Sequence, residues 1–244
     1  MHPPPRPILP TGNKILAALD DSEARGFFPR LERVSLPQGE VVYQAESRIE
    51  YVYFPETAVF SMLCAMEDGA TVEVGPVGDE GLVGLRVFLG ADTSPDRVIV
   101  HVAGTALRLS ASALREELGT GGVALPAKLL RYNRMLLAMT GRSGCCNKLH
   151  RLEQQFARWL LTMADYVGDE LRLTHDLMAL TLGVRRASVT EAAVVFRKAG
   201  YIDYHRGHIR IAERGGVEAA ACECYRVIKG EYDRLYADLA KPPA

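Results

Sequence analysis

The sequence predicts an α+β protein in three parts. These are an antiparallel β-roll over residues 13–122, a long helix over 123–150, and a winged helix-turn-helix with a C-terminal helix over 151–244. Three observations carry the prediction. Short runs rich in Val, Tyr and Phe, separated by Gly and Pro turns, fill residues 34–110, the pattern of an antiparallel sandwich or jelly roll. Apolar residues step by four and three along 125–139, as on one face of a long helix. Two amphipathic segments then flank Gly183 and lead into two alternating runs around Arg206-Gly207, which reads as a two-stranded wing.

Composition sets the limits. A chain of 244 residues, 48% hydrophobic and 24% charged, suits two ordinary globular domains. No run of about 18 apolar residues occurs, so no membrane span is expected. The opening MHPPPRPILPTGN lacks a charged-then-apolar layout and reads as a proline-rich arm, with the cytoplasm as the expected compartment. The five cysteines do not make a disulfide framework. Cys64 reads as a small core residue. Neighbours on a helix, or residues two apart, point in different directions. Neither Cys145-Cys146 nor Cys222-x-Cys224 is therefore expected to bridge internally or to chelate a metal, and no metal or cofactor is expected.

Within the first part, residues 13–31 read as two short helices capped by Asn13 and Ser22. The strand-like runs VSLPQGEVVY, YVYFPETAVFSMLCAM, TVEVGPVG and RVIVHVAGTALRLS follow, turning at Pro37-Gln38-Gly39, Asp68-Gly69 and Gly75-Pro76. Residues 78–96, glycine-rich and then apolar, interrupt them as loop, short helix, loop. A short helix at 112–118 stops at Gly119.

In the long helix, Leu125, Leu129, Tyr132, Leu136 and Met139 form a 4-3 seam that continues through Ser143, Cys146 and His150. Such a seam packs either on the same chain or on a second copy. A helix joining two domains has a free face, and a parallel homodimer across the seam is expected. Gly141 and Gly144 are expected to weaken or kink it. A further amphipathic helix spans 151–167. A last one spans 216–239, with Tyr225, Ile228, Tyr232, Leu235 and Tyr236 near one face.

Thr174 is placed to cap the first helix of the helix-turn-helix, and Asp176 suits its dipole. Leu177, Met178, Leu180 and Leu182 are expected to point inward. Gly183 supplies a tight turn, and the second helix, about residues 186–198, buries Val189, Ala193, Val194 and Phe196. The polar front of that helix carries Arg185, Arg186, Ser188, Thr190 and Glu191. Many helix-turn-helix pairs touch no nucleic acid. Charge decides between the readings: residues 171–211 hold seven Lys/Arg against three Asp/Glu, while the whole chain stands at −1. A basic module on an acidic remainder is the footprint of phosphate binding. The expected DNA contacts are Thr174, Arg185, Arg186, Ser188, Thr190, Glu191, Lys198 and Arg206, with Lys198 on phosphate.

Several blocks in this order carry a resemblance: VYFPETAVFSM with DG, GDEGL, ARWLLTMAD, LTHDLMALTLGVRRASV, and the wing opening GYI. Over residues 13–211 the chain resembles the Crp/Fnr superfamily of bacterial transcription regulators. The resemblance implies a roll of the cyclic-nucleotide-binding kind, a homodimer, a palindromic operator in double-stranded DNA, and RNA polymerase as a partner. It also sets Arg186 at the position that pairs with guanine, followed by Ala187, with Glu191 one turn on where the family's cyclic-AMP-responsive type member carries another arginine.

The implied effector pocket is Gly78, Asp79, Glu80 and Gly81, with Arg97 for a phosphate and Thr140 on the long helix beside the base. Val98 stands where the family's nucleotide binders carry a hydroxyl, and residues 82–95 are longer than theirs. Residues 34–110 carry four Arg against eleven Asp/Glu, a poor setting for an anion. An effector other than a cyclic nucleotide, or none, is therefore favoured. Residues 1–63 lack cysteine, which excludes the family's iron–sulfur pattern, and His101 alone cannot complete a haem site. A metal-dependent jelly-roll enzyme would also need more histidines than His101, and no nucleophile-elbow, phosphate-loop or dinucleotide motif appears, so no enzyme is expected. The remaining alternatives are a cysteine redox sensor using Cys145 and Cys146, and a ligand-binding roll whose winged domain contacts a protein.

Overall fold

The computed structural model describes residues 11–120, 122–205 and 207–241, with the side chains of residues 21 and 22 outside the description. The chain divides into two compact units. The first joins the described residues up to Phe60 with Pro76–Leu136 and the end of the chain from Tyr232; the second joins Ser61–Gly75 with Leu137–Glu231.

The first unit begins with helices α1 (Lys14–Ala17) and α2 (Asp21–Phe27). Asn13, fully buried, caps α1 as expected: its Oδ1 accepts from the Leu16 N–H at 3.2 Å. The α2 cap is different from the one expected. Asp20 Oδ1 accepts from the Glu23 N–H at 3.0 Å, and residue 22 lies inside the helix.

Seven strands make the roll: β1 (Glu32–Leu36), β2 (Val41–Tyr43), β3 (Tyr51–Pro55), β4 (Val59–Ala65), β5 (Thr71–Val77), β6 (Arg97–Val102) and β7 (Gly104–Ser110). They form two sheets, ordered β1-β7-β3 and β2-β6-β4-β5. β7 pairs antiparallel with both β1 and β3, and β2 with β6. Aromatic residues knit this core, Phe27 edge-on to Phe54 with ring centroids 5.9 Å apart, and Tyr53 tilted on Phe60 at 5.8 Å. Gly104 marks the corner between β6 and β7, where a Cβ would lie 2.4 Å from the Ala58 backbone nitrogen.

Residues between β5 and β6 hold α3 (Leu85–Phe88), and α4 (Ala111–Gly119) follows β7, capped by Ser110. The long helix α5 (Ala124–Leu149) is assigned as one continuous α-helix through Gly141 and Gly144, so the expected weakening at those glycines does not interrupt it.

The second unit contains the end of α5 and α6 (Leu152–Val167), β8 (Glu170–Arg172), α7 (His175–Leu182), α8 (Arg186–Lys198), β9 (Ile202–His205), β10 (His208–Ile211), α9 (Arg214–Ala220) and most of α10 (Glu223–Leu239). Phe156 of α6 meets Phe196 of α8 edge-on at 5.3 Å, and Phe196 in turn meets Tyr201. The wing has three strands, β8-β10-β9, where two were expected. Leu171 is buried opposite Ile209, which recruits residues 170–172 into the sheet. The expected C-terminal helix is likewise two helices, broken at Ala221, whose backbone is extended. Among the described residues no helix is long and apolar enough to cross a membrane.

Candidate functional site

The helix-turn-helix is built by local rules. Thr174 Oγ1 accepts from the Leu177 N–H at 3.2 Å, and Gly183 closes α7 in the left-handed conformation with φ of 65°. Met178, Ala179 and Leu182 of α7 are buried, with Leu177 and Leu180 half-buried. On α8, Val189, Ala192, Ala193 and Phe196 form the buried face; Ala192 joins it, and Val194 is only half-buried. The opposite face presents Arg186, Ala187, Thr190, Glu191, Val195 and Lys198 to solvent, a continuous strip at helical spacing. Arg185 is exposed at the N-cap, and Ser188 is half-buried. Arg206 lies outside the described residues.

Two features of this surface escape sequence reasoning. The Arg186 guanidinium pairs with Asp176 at 3.2 Å, both side chains about two-thirds exposed, so the two helices share a surface ion pair across the turn. Behind it, Thr190 Oγ1 is 2.9 Å from His175 Nδ1 and donates to the Arg186 carbonyl at 3.0 Å. The His175 ring stacks on Tyr204 with centroids 4.4 Å apart. Burial, and Arg186 nearby, lower the His175 pKa, favouring the neutral ring. His175 thus touches α8 through Thr190 and β9 through Tyr204. Thr190, expected as a DNA contact, has its hydroxyl engaged within the module.

In the roll, the cassette residues come together around buried groups. Glu80 is fully buried, and its Oε1 accepts from the Gly78 N–H at 3.2 Å. Asp79 pairs with Lys14 at 3.3 Å, and its carbonyl accepts from the Lys14 N–H at 2.7 Å. Asn13 Nδ2 donates to the carbonyls of Gly81 and Pro55, at 2.9 and 3.0 Å. The start of α1 therefore hydrogen-bonds the cassette backbone. Arg97 is exposed at the first position of β6, and no described residue pairs with it. Thr140 turns its hydroxyl back onto the Leu137 carbonyl, at 3.2 Å. His101 is fully buried, and burial pushes its pKa down to about 4, the state of a neutral core histidine.

The seam of α5 faces inward. Leu125, Leu129, Tyr132 and Met139 are buried in a single copy of the chain, and Leu136 is half-buried. The expected placement of these residues on an open dimer face does not hold in one copy. A different stripe is left open: Leu130, Arg134, Leu137, Gly141, Gly144 and Lys148 are all exposed, again at 4-3 spacing.

Taken pair by pair, the cysteines offer no metal site. In the fold, Cys146 and His150 from the end of α5 meet Cys222 and Cys224 at the start of α10, their ligand atoms all within 4.8 Å of one another. This set combines one thiol of the first pair with both of the second, a combination that neither pair offers by itself.

Comparison with known proteins places both parts. Residues 33–120 match the family model of the cyclic nucleotide-binding domain, and residues 154–220 that of the Crp-like helix-turn-helix domain. A sequence search finds no characterised protein that matches the chain. Among solved structures, FixK2 from Bradyrhizobium japonicum superposes with a TM-score of 0.68 at 16% identity, covering 79% of this chain and 98% of its own. The c-di-GMP responsive regulator CLP of Xanthomonas campestris gives 0.64 at 15% identity, covering 80% and 100%. A regulator from Eubacterium rectale assigned to the crp/fnr family gives 0.67 at 13%, covering 84% and 96%. At these identities the likeness is one of fold.

Proposed function

Since the chain belongs to the Crp/Fnr superfamily of transcription regulators, we propose that it acts as a cytoplasmic, homodimeric, sequence-specific DNA-binding regulator. It reads a palindromic operator in double-stranded DNA and engages RNA polymerase. The observation that carries this reading is the exposed strip of α8, with Arg186 at its front and Lys198 at its end. A guanidinium fork at the front of a recognition helix can meet guanine O6 and N7 together. Lys198 at the far end supplies a phosphate contact. To read a base, Arg186 exchanges its exposed ion pair with Asp176 for the guanine edge, so Asp176 acts as a positioning residue.

The surface proposed for the second copy is the open stripe of α5, where Leu130 and Leu137 offer exposed apolar area and Gly141 and Gly144 leave room for close helix approach. The roll is proposed to respond to an effector other than a cyclic nucleotide, or to none. Two observations support this: Asp79, which the resemblance sets at the ribose position, is paired with Lys14, and Glu80 beside it is fully buried with its carboxylate on the Gly78 N–H.

The test is selection of bound duplexes from random DNA with the purified protein, followed by a salt titration on the selected site. An inverted repeat and a steep loss of affinity with salt are expected. Equal, weak binding of every duplex would leave the winged domain without a reading function.

A further inference from the structure

We propose that Cys146, His150, Cys222 and Cys224 form a structural zinc site that clamps the end of α5 to the start of α10. The four side chains supply three sulfurs and one nitrogen, a donor set found in tetrahedral structural zinc sites. Their spacing suits a single ion. With Zn–S near 2.3 Å and Zn–N near 2.0–2.1 Å, a tetrahedron has ligand-to-ligand edges of about 3.8 Å (S to S) and about 3.6 Å (S to N). Cys146 Sγ and Cys222 Sγ are 3.5 Å apart, and Cys224 Sγ is 3.7 Å from His150 Nδ1. A multinuclear iron–sulfur cluster would need its ligands further apart than these distances allow. Four protein ligands leave no open position, which marks a closed, structural site.

The surroundings are built for it. The other imidazole nitrogen, Nε2, lies 3.2 Å from the Glu223 carboxylate. With its proton on Nε2 donated to Glu223, the ring presents the Nδ1 lone pair to the ion, the carboxylate–histidine–zinc arrangement. Cys222 immediately precedes α10 and Cys224 lies in its first turn, where unpaired backbone N–H groups favour thiolates. The three cysteines are 0%, 5% and 1% exposed, which shields the thiolates from oxidants. Binding is balanced by protons: one Zn²⁺ with three thiols and one neutral imidazole gives a centre of net charge −1 and releases three protons to solvent.

The site encloses residues 147–221, which contain the whole helix-turn-helix and wing. Closing that loop through an ion makes the stability of the DNA-reading module depend on the metal.

The experiment uses the full chain purified under reducing conditions. Elemental analysis is expected to find one zinc per chain. After removal with a chelator, titration with Co²⁺ is expected to saturate at one equivalent, with the visible bands of tetrahedral cobalt and a near-ultraviolet thiolate charge-transfer band. Cys222→Ser and Cys224→Ser should each weaken or remove that signal, while Cys64→Ser and Cys145→Ser leave it intact. Should the cysteine variants fail to fold, Glu223→Gln keeps the four ligands and is expected to weaken zinc binding by roughly 10–100-fold. The proposal is overturned if the reduced native protein holds no zinc and gives no tetrahedral cobalt spectrum. It is equally overturned if mass spectrometry finds a Cys146–Cys222 disulfide as the resting state of protein handled without reductant.

Discussion

The ring of Tyr132 lies directly over Gly81, so that a Cβ at position 81 would come within 2.5 Å of the Tyr132 hydroxyl and 2.6 Å of the carbon that bears it. This contact joins the long helix to the cassette within the first unit, and it explains why a glycine is required there whether or not an effector binds. Gly81→Ala is expected to displace the buried ring and destabilise the roll by about 1–3 kcal/mol, the usual cost of overpacking a core. Thermal unfolding of the variant is the check; an unchanged midpoint would mean that the ring relaxes without cost.

If α8 reads DNA as proposed, Arg186, paired here with Asp176, and Lys198 divide base reading from phosphate contact. Arg186→Ala should cost about 1–3 kcal/mol at one guanine and relax preference there. Lys198→Ala should weaken all duplexes alike and lower the salt slope by about one. Asp176→Asn, which frees the guanidinium, should lower selectivity less than Arg186→Ala does. Parallel binding profiles of the three variants decide the register; uniform loss in Arg186→Ala would move the reading residue elsewhere on α8.

The two faces of α5 give opposite expectations. Leu130→Asp with Leu137→Asp, both on the open stripe, should yield a folded monomer that no longer holds the palindrome. Leu129→Asp, on the buried face, should damage the fold itself by several kcal/mol, since a charge left unpaired in a core is strongly destabilising. Sedimentation and unfolding measured together distinguish them. A stable dimer of the double variant would place the interface on another surface.

Glu73 carries a pH signature. It is buried beside Ser61, Trp159 and Arg158, and burial raises its pKa to about 7 despite the hydrogen bond from the Ser61 hydroxyl and the charge of Arg158. The folded chain holds this proton more tightly than the unfolded chain, whose carboxyl titrates near 4.5. Folding therefore takes up a proton between those values. The Glu73 contribution falls as pH rises through that window and levels off above it. Glu73→Gln should be more stable than the native chain by roughly 1–3 kcal/mol at about pH 8, with the gap closing toward about pH 4. A gap independent of pH would show that Glu73 titrates normally.

What the sequence determined by itself is whatever depends on neighbours within a turn or two. The Asn13 and Thr174 caps, the left-handed Gly183 and the inward face of α8 follow from hydrogen bonds and periodicities that span three or four residues. The order of these elements was enough to identify the fold and its helix-turn-helix.

Tertiary structure decided the rest, because each remaining question concerns partners far apart in the chain. A 4-3 apolar seam has the same spacing whether its partner is a second copy or its own chain, and only the packing of Tyr132 on Gly81 shows the second. Residues 170–172 are too short to announce a strand until Ile209 lies opposite Leu171. Glu80 reads as a ligand residue until the fold turns it inward onto the Gly78 amide. Cys146 and His150 sit four apart at the end of one helix, a spacing visible in the sequence. Their metal-binding sense needs Cys222 and Cys224, more than seventy residues away, and only the fold brings those sulfurs within reach of a single ion.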